Sequence, residues 1–226
     1  MTTANAASPL GGVRAFIAKR MRHSLAETAQ ISYFSHADVD AVLAARAAWK
    51  SHGVAAGFED FVIAALGKLV GKHPDFNAHY ENGQLTRFTD CHVSVAMASP
   101  SGLVTPVVRN AGAALLPEIV RQRRALHDRA ARGALAIEDM KGGTITISNL
   151  GVSRVQHFTP ILNPPQVAIV GLGRIDEVAA FTGNLVVKRH RLALSLTTDH
   201  QIVDGAPCGA FLTDLCQELE QTSVDG

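Results

Sequence analysis

The chain has 226 residues, of which 47% are apolar and 18% are charged, and its formal net charge is +1. This length and apolar content fit one large or two small well-packed domains and exclude a disordered chain. The near-neutral charge argues against a dedicated nucleic-acid-binding protein, and no stretch of the sequence has the 18 uninterrupted apolar residues of a membrane span.

The cysteines, Cys91, Cys208 and Cys216, are odd in number and form no C-x-x-C pair. With an N-terminus that lacks the pattern of a secretory signal, they predict a reduced, cytoplasmic setting. None has a base beside it in sequence, so we interpret them as packing residues and not as nucleophiles. No paired-cysteine metal motif is present, and no metal is expected.

The N-terminal part begins with small polar residues, and we predict a flexible tail over 1–9. From 13 to 27 apolar residues recur at helical spacing, and the opposite face is basic, starting with Arg14. That basic face is either a solvated helix surface, a docking surface for phosphates, or one side of an internal ion pair.

The middle of the chain alternates helical and extended patterns, which predicts an α/β fold. Helices are predicted over 41–50, 58–70 and 113–132. Strands are predicted over 31–39, 91–97, 103–108, 144–149 and 166–170, with two short strands around Gly183-Asn184. Asn82-Gly83 is a hairpin signal. Gly171-Leu172-Gly173 looks like a fragment of a dinucleotide loop, but no third glycine and no helical pattern follow, so we reject that interpretation.

Near the C-terminus, a strand pattern over 191–196 leads into a turn that carries His200 and Asp204, and a helix pattern follows over 210–219. A neutral histidine held on such a turn can accept a proton from a thiol or hydroxyl. Asp204 can fix the geometry around it, and Gly205 is expected to adopt a backbone angle that other residues resist. The other interpretation of His200 is an ordinary surface histidine.

Five stretches of the chain follow one another in the order of a known family. They are the segments at 14–21 (RAFIAKRM), 102–108 (GLVTPVV), 142–151 (GGTITISNLG), 161–166 (ILNPPQ) and the His200 turn. Together they resemble the catalytic domain of the acyltransferase component of 2-oxo acid dehydrogenase complexes, a group that includes chloramphenicol acetyltransferase. The resemblance implies a two-layer α/β sandwich, a mixed β-sheet with helices, over 10–221, followed by a polar tail at 222–226. It also implies a homotrimer with active sites at the subunit interfaces.

The resemblance implies a site with few parts. His200 matches the family's general base, Ser148 matches the residue that stabilises the oxyanion, and Asp204 supports the turn. Phe158 matches, less closely, a residue that lines the pantetheine channel, and Arg14 is a possible counterpart of an arginine that pairs with the aspartate of the turn. Coenzyme A or acetyl-coenzyme A is then a substrate. Without the resemblance, Ser148 is most simply a strand hydroxyl bonded to backbone.

The chain also departs from the family pattern. Gln201 follows the histidine where the family usually has arginine, and no lipoyl-bearing Asp-Lys-Ala motif is present, so no covalent lipoyl group is expected on this chain. The chain starts at its own Met close to where the family's catalytic domain begins, and it ends in polar residues without a leucine-rich hook. We therefore expect a native chain that forms an isolated trimer and not a cage.

The sequence leaves three functions open. The first is a free-standing enzyme that moves an acyl group, typically acetyl, from coenzyme A to a small-molecule hydroxyl, for example in a tetronate-like natural-product pathway. The second is the catalytic core of a 2-oxo acid dehydrogenase complex, which exchanges acyl groups between dihydrolipoyl and coenzyme A with a lipoyl domain in trans. The third is a non-catalytic scaffold, which the presence of His200, Ser148 and Asp204 disfavours. We favour the first function, because a lipoyl domain and a leucine-rich hook are missing from this sequence.

Overall fold

The computed structural model describes residues 9–223. The helices of this part are α1 (Gly12–Glu27), α2 (Asp40–Ser51), α3 (Phe58–Leu69), α4 (Leu116–Ala131) and α5 (Gly205–Glu220). The strands are β1 (Gln30–Asp38), β2 (Ala78–Glu81), β3 (Gln84–Arg87), β4 (Val93–Val95), β5 (Met97–Ser99), β6 (Gly102–Val104), β7 (Val107–Val108), β8 (Ile145–Asn149), β9 (Ala168–Thr182) and β10 (Leu185–Asp199). Residues 1–8 of the predicted 1–9 tail and residues 224–226 of the predicted 222–226 tail lie outside the described residues.

Proline accounts for two differences from the sequence prediction. The helix predicted from 113 begins at Leu116, because Pro117 lies in its first turn, where a missing N–H costs nothing. The strand predicted over 103–108 is broken into β6 and β7 by Pro106, which has no N–H for a continuous ladder. The predicted hairpin at Asn82-Gly83 is confirmed, and both residues have positive φ, as a type I′ turn requires.

The central sheet has six strands in the order β1-β10-β9-β8-β4-β7. Strand β8 runs parallel to both of its neighbours, and the other pairs are antiparallel, so the sheet is mixed as predicted. The two short strands expected around Gly183-Asn184 are instead the tip of a hairpin of two 15-residue strands, β9 and β10.

One face of this sheet is apolar and packs against the helices. Side chains at alternate positions of the central strands, including Ile147, Val170 and Leu194, are buried in a single hydrophobic cluster with α3, α4 and α5. Because strand side chains alternate between faces, the residues between them must point to the other side.

That other face is lined by small polar residues. They are Ser32, Ser94, Thr146, Ser148, Ser195 and Thr197, which the strand register brings into neighbouring rows. Thr146, Ser195 and Thr197 are nevertheless at most 2% exposed. The segment 155–165 crosses this face and contributes buried Leu162.

Two glycines allow this segment to approach the sheet. A Cβ on Gly173 would lie 1.6 Å from the carbonyl oxygen of Gln156, and one on Gly171 would lie 2.9 Å from the ring of Phe158. The Gly171-Leu172-Gly173 motif, predicted to follow a strand, therefore lies inside β9. It serves close packing of backbone, which only residues without a Cβ permit.

Helix α1 holds the crossing segment in place. Arg20 donates to the side-chain oxygen of Asn163 at 3.0 Å and to the Pro164 carbonyl at 2.9 Å. The Ser24 hydroxyl donates to the Leu162 carbonyl at 2.8 Å. Helix α1, which directly precedes β1, is therefore hydrogen-bonded to the segment that covers the polar face of the sheet.

Among residues 9–223, no helix has both the length and the apolar character needed to cross a bilayer. Within the same residues, no cluster of three or more histidine, cysteine or acidic side chains is arranged to hold a metal ion. The three cysteines are buried and unpaired, as expected of packing residues. Burial raises the pKa of Cys91 to about 12, which leaves its thiol protonated at neutral pH.

Candidate active site

The turn that carries His200 joins β10 to α5. It is closed by the N–H groups of Ile202 and Val203, which donate to the Asp199 carbonyl at 3.0 and 3.1 Å. The His200 N–H donates to the Ala29 carbonyl at 2.9 Å, so the turn is attached to the chain just before β1. The backbone of the turn is therefore fixed at both of its sides.

The side chains of His200 and Asp204 are open to solvent in the single chain. His200 is 43% exposed, Asp204 is 86% exposed, and their nearest atoms, Nδ1 and Oδ1, are 3.7 Å apart. Asp204 stands at the N-cap position of α5 without a capping hydrogen bond from its side chain. An exposed imidazole of this kind can accept a proton from a substrate, while support of the turn by Asp204 stays a prediction.

The expectation for Gly205 is wrong. Its backbone is not in the positive-φ region, and it is the first residue of α5. A Cβ there would lie 3.6 Å from the Tyr33 hydroxyl, an ordinary contact distance. No special backbone angle is needed to place His200.

Asp199 is the residue that sequence analysis missed. Its side chain is 2% exposed, and Oδ1 accepts the N–H of Ala29 and the N–H of Gln201, both at 3.1 Å. The signal for it was a carboxylate at the buried end of a strand, directly before the histidine. The His-x-x-x-Asp-Gly pattern of the turn contains Asp204 and does not include Asp199.

Ser148 lies on the polar face of the sheet. The register places it beside Gly171 in β9, and Gly171 lies beside Ser195 in β10. Phe158 packs over Gly171, and its N–H donates to the Ser195 hydroxyl at 3.4 Å. Two predicted site residues, Ser148 and Phe158, thus lie close together, since both are next to Gly171.

The same register keeps Ser148 and His200 of one chain apart. Ser148 is in the row of Ser195, and His200 follows Ser195 by five residues. Five residues of strand span about 16 Å, and two strand spacings add about 10 Å across the sheet. A single tetrahedral intermediate cannot contact both side chains over that distance, so one chain does not form the predicted site by itself.

Arg14 lies in the exposed first part of α1. It forms no ion pair with Asp204 or with any other described residue at the distances of such pairs. The structure of the single chain therefore does not bring Arg14 to the His200 turn, and its role stays a prediction.

A groove of about 460 Å³ begins beside the end of β8. Asn149, the neighbour of Ser148, lies in its wall and donates to Glu59 Oε1 at 2.9 Å. Its other walls combine apolar side chains, such as Phe58, Val152 and Ile175, with the polar side chains of Glu59, Arg123 and His127. A long, flexible chain of a ligand fits such a surface.

A second, basic cavity of about 570 Å³ continues from this groove across Gly57 and Arg123. Arg46, Lys50 and Arg124 line it. Arg123 is neutralised by Asp60, which hydrogen bonds to its guanidinium at 2.8 Å and raises its pKa. The other three cations form no ion pair with a described residue, so the cavity can hold anionic groups.

Comparison with known proteins gives a family for this arrangement. The family described as 2-oxoacid dehydrogenases acyltransferase (catalytic domain) matches residues 2–224. The acetyltransferase component of the acetoin cleaving system of Bacillus subtilis is 35% identical over 96% of this chain and 56% of its own length. A probable mitochondrial succinyltransferase component of the 2-oxoglutarate dehydrogenase complex of Schizosaccharomyces pombe is 39% identical over 92% of this chain and 48% of its own length. The chain thus spans about half the length of the curated relatives it matches.

Solved structures agree with this result. The dihydrolipoamide acetyltransferase of Azotobacter vinelandii is 29% identical, with a TM-score of 0.92 over 96% of this chain and 92% of that one. The cubic core of a pyruvate dehydrogenase multienzyme complex has a TM-score of 0.91 at 29% identity over the same shares of both chains. Chloramphenicol acetyltransferase, at 15% identity, covers 89% of this chain and 94% of its own with a TM-score of 0.57, which shows a shared fold and confirms the predicted fold class.

The spacing of the site residues also agrees. The Azotobacter enzyme was studied for the catalytic roles of a serine, a histidine 52 positions later and an asparagine four positions after that. Ser148 and His200 are separated by the same 52 positions, and Asp204 follows His200 by four. The one difference is a carboxylate in this chain at the position of the amide.

Proposed function

The chain belongs to the family of 2-oxoacid dehydrogenase acyltransferase catalytic domains, and we propose that it transfers an acyl group between coenzyme A and a dihydrolipoyl thiol. The observation that carries this proposal is that relatives matching more than nine-tenths of the chain are dihydrolipoyllysine-residue acyltransferases. These relatives favour the dihydrolipoyl reaction, whereas the sequence alone favoured transfer to a small-molecule hydroxyl.

We propose that His200 acts as the general base. The imidazole accepts the proton of the acceptor thiol, whose sulfur attacks the thioester carbonyl carbon of the acyl donor. The tetrahedral intermediate collapses as the carbon–sulfur bond to coenzyme A breaks, and the imidazolium returns the proton to the departing thiolate. No covalent bond to the enzyme forms, and the proton taken up in the first half is returned in the second.

Ser148 is assigned to the oxyanion. Its hydroxyl lies on the polar face beside Phe158, where it can donate to the oxygen that gains charge in the intermediate. The distance between Ser148 and His200 within one chain supports a site shared by two subunits. We therefore propose a homotrimer in which the His200 turn of one subunit meets the Ser148 row of the next.

Coenzyme A is assigned to the groove and the basic cavity. The groove beside Asn149 has a mixed apolar and polar lining that suits the methylene and amide groups of the pantetheine arm, and the cavity with Arg46, Lys50 and Arg124 suits the phosphates. Arg14, predicted as a phosphate contact, is not a wall residue of either cavity.

The experiment that tests the function is release of free coenzyme A from acetyl-coenzyme A with dihydrolipoamide as acceptor. We expect turnover that is lost in His200→Ala, while binding of coenzyme A to that variant is retained. Acetyl transfer to simple hydroxyl acceptors is measured beside it. Turnover with hydroxyl acceptors alone would contradict the dihydrolipoyl proposal and restore the first hypothesis.

A further inference from the structure

We propose that Asp199 and Gln201 are positioning residues, which fix the backbone of the His200 turn against the junction of α1 and β1. The proposal rests on the proposed function, because it takes His200 as the base. It concerns residues that touch neither substrate nor reacting atoms and act only through the placement of the turn.

The first part of the argument is the end of a strand ladder. The pairing of β1 with β10 ends at Gln30 opposite Asp199, and the same register continued by one residue brings Ala29 opposite His200. In that pair the His200 N–H still donates to the Ala29 carbonyl at 2.9 Å. The return bond is made by a side chain, because the Ala29 N–H donates to Asp199 Oδ1 at 3.1 Å. Asp199 therefore extends the ladder by one residue, to the position of the base.

The second part is the side chain of Gln201. Its Nε2 donates to the carbonyl of Glu27, the last residue of α1, at 2.8 Å. The same nitrogen lies 3.2 and 3.3 Å from the two carboxylate oxygens of Asp199, and the Gln201 N–H donates to Oδ1 at 3.1 Å. The Asp199 carboxylate therefore accepts hydrogen bonds from Ala29, just before β1, and from Gln201 in the turn. Gln201 also donates to the last residue of α1, so the carboxylate is linked to that helix.

The third part is the charge of Asp199. Its side chain is buried, and no lysine, arginine or histidine among residues 9–223 lies at ion-pair distance from it. Burying a carboxylate without a cation is costly unless several donors surround it. An asparagine costs less to bury but accepts with only one of its two terminal atoms. An aspartate suits this position because both of its carboxylate oxygens act as acceptors.

The consequence for catalysis follows from the exposure of His200. The imidazole is 43% exposed, and among residues 9–223 the one charged partner at ion-pair distance is Asp204, at 3.7 Å. The location of the imidazole therefore depends largely on the backbone of the turn. A displacement of about 1 Å at a reacting group can lower the rate about a hundredfold. Loosening the Asp199 network should therefore reduce kcat and leave the binding of coenzyme A unchanged.

The test uses the full chain and three variants, Gln201→Met, Gln201→Arg and Asp199→Asn. We expect kcat to fall about tenfold or more in Gln201→Met and Asp199→Asn, with KM for acetyl-coenzyme A unchanged within about twofold. Gln201→Arg should retain kcat, because a guanidinium donates to the same two oxygens. Asp214→Asn is the matched control, since it removes another hydrogen-bonded carboxylate of the chain and should lower Tm without lowering kcat.

Two further measurements separate positioning from simple loss of stability. The double variant of Asp199→Asn and Gln201→Met should lose no more kcat than the poorer single variant, because both changes open one network. Amide hydrogen exchange of the peptide containing 199–204 should accelerate in both single variants and remain slow in Gln201→Arg. This second readout needs no turnover, so it still decides the proposal if the wild-type chain proves inactive with dihydrolipoamide. Unchanged exchange at the turn, or unchanged kcat in Gln201→Met, would overturn it.

Discussion

Within one chain, Ser148 and His200 are separated by two strand spacings across the sheet and by five residues along β10. If both residues take part in the proposed reaction, each chain carries the two halves of the reaction centre at different places. The exposed His200 turn and the polar row around Ser148 are explained together if each is completed by a neighbouring copy of the chain.

The basic cavity allows a prediction about the donor. Substituting Lys50 or Arg124 by Ala should raise KM for acetyl-coenzyme A about tenfold, because a hydrogen bond to a charged group contributes about 1.5–3 kcal/mol. The KM for acetyl-pantetheine, which has no nucleotide phosphates, should stay constant. Arg87→Ala removes an exposed cation that pairs with Asp75 and serves as the control. Equal changes in KM for both donors would contradict the assignment of the phosphates to this cavity.

Asp204 provides a prediction about the turn. Its carboxylate is 86% exposed and lies 3.7 Å from His200, and the Azotobacter enzyme has an asparagine at the corresponding spacing. Asp204→Asn should therefore keep turnover within about threefold of wild type, because the amide retains one acceptor at the position of Oδ1. The measurement is kcat with dihydrolipoamide at neutral pH. A loss as large as that of His200→Ala would show that the negative charge is required.

Gly171 and Gly173 lie where the segment 155–165 packs on the sheet, and a side chain at Gly173 should lower the stability of the fold. Gly173→Ala would place a Cβ 1.6 Å from the Gln156 carbonyl oxygen, so the segment has to move away from the sheet. We expect a substantially lower Tm and weaker turnover, because Phe158 belongs to the same segment. Gly209→Ala is the control, since that site in α5 has no atom within 4 Å and alanine is favoured over glycine in a helix by about 1 kcal/mol. A Gly173→Ala protein as stable as Gly209→Ala would contradict the packing described.

The hydrogen-bonded carboxyl of Asp214 should make the stability of the protein depend on pH. Hydrogen bonds from Lys72 and then His73 lower the pKa of this carboxyl below its ordinary value. A group with a lowered pKa in the folded state stabilises the fold above its unfolded pKa, and the contribution is lost as the pH falls through the folded value. The Tm of Asp214→Asn should therefore lie below that of wild type at pH 6 and converge with it as the pH is lowered toward about 3. A difference that stays constant over this range would exclude the ion-pair contribution.

The sequence predicted those features that depend on local pattern. The helix over 12–27, the Asn82-Gly83 turn and strand β8 were found close to their predicted limits, because periodicity and turn chemistry determine them. Proline effects at Pro106 and Pro117 and the continuation of β9 through Gly171 were not predicted. They depend on which segments pack together, and a glycine required by close packing looks in sequence like a glycine required by a turn.

The site was predicted in the same uneven way. His200 and Ser148 came from a motif, and the structure shows them on the expected turn and strand. Their separation within one chain follows from strand order and register, which no local pattern contains. Asp199 was missed because its importance lies in burial and in contacts with Ala29, which is distant in sequence.

The most direct test of the central claim is complementation between two inactive variants. His200→Ala and Ser148→Ala chains are co-expressed in equal amounts, and transfer from acetyl-coenzyme A to dihydrolipoamide is measured on the mixed oligomer. If each site uses His200 of one subunit and Ser148 of another, random assembly should restore about a quarter of the wild-type rate. A rate no higher than that of either variant alone, in an oligomer shown to contain both chains, would contradict a site shared between subunits.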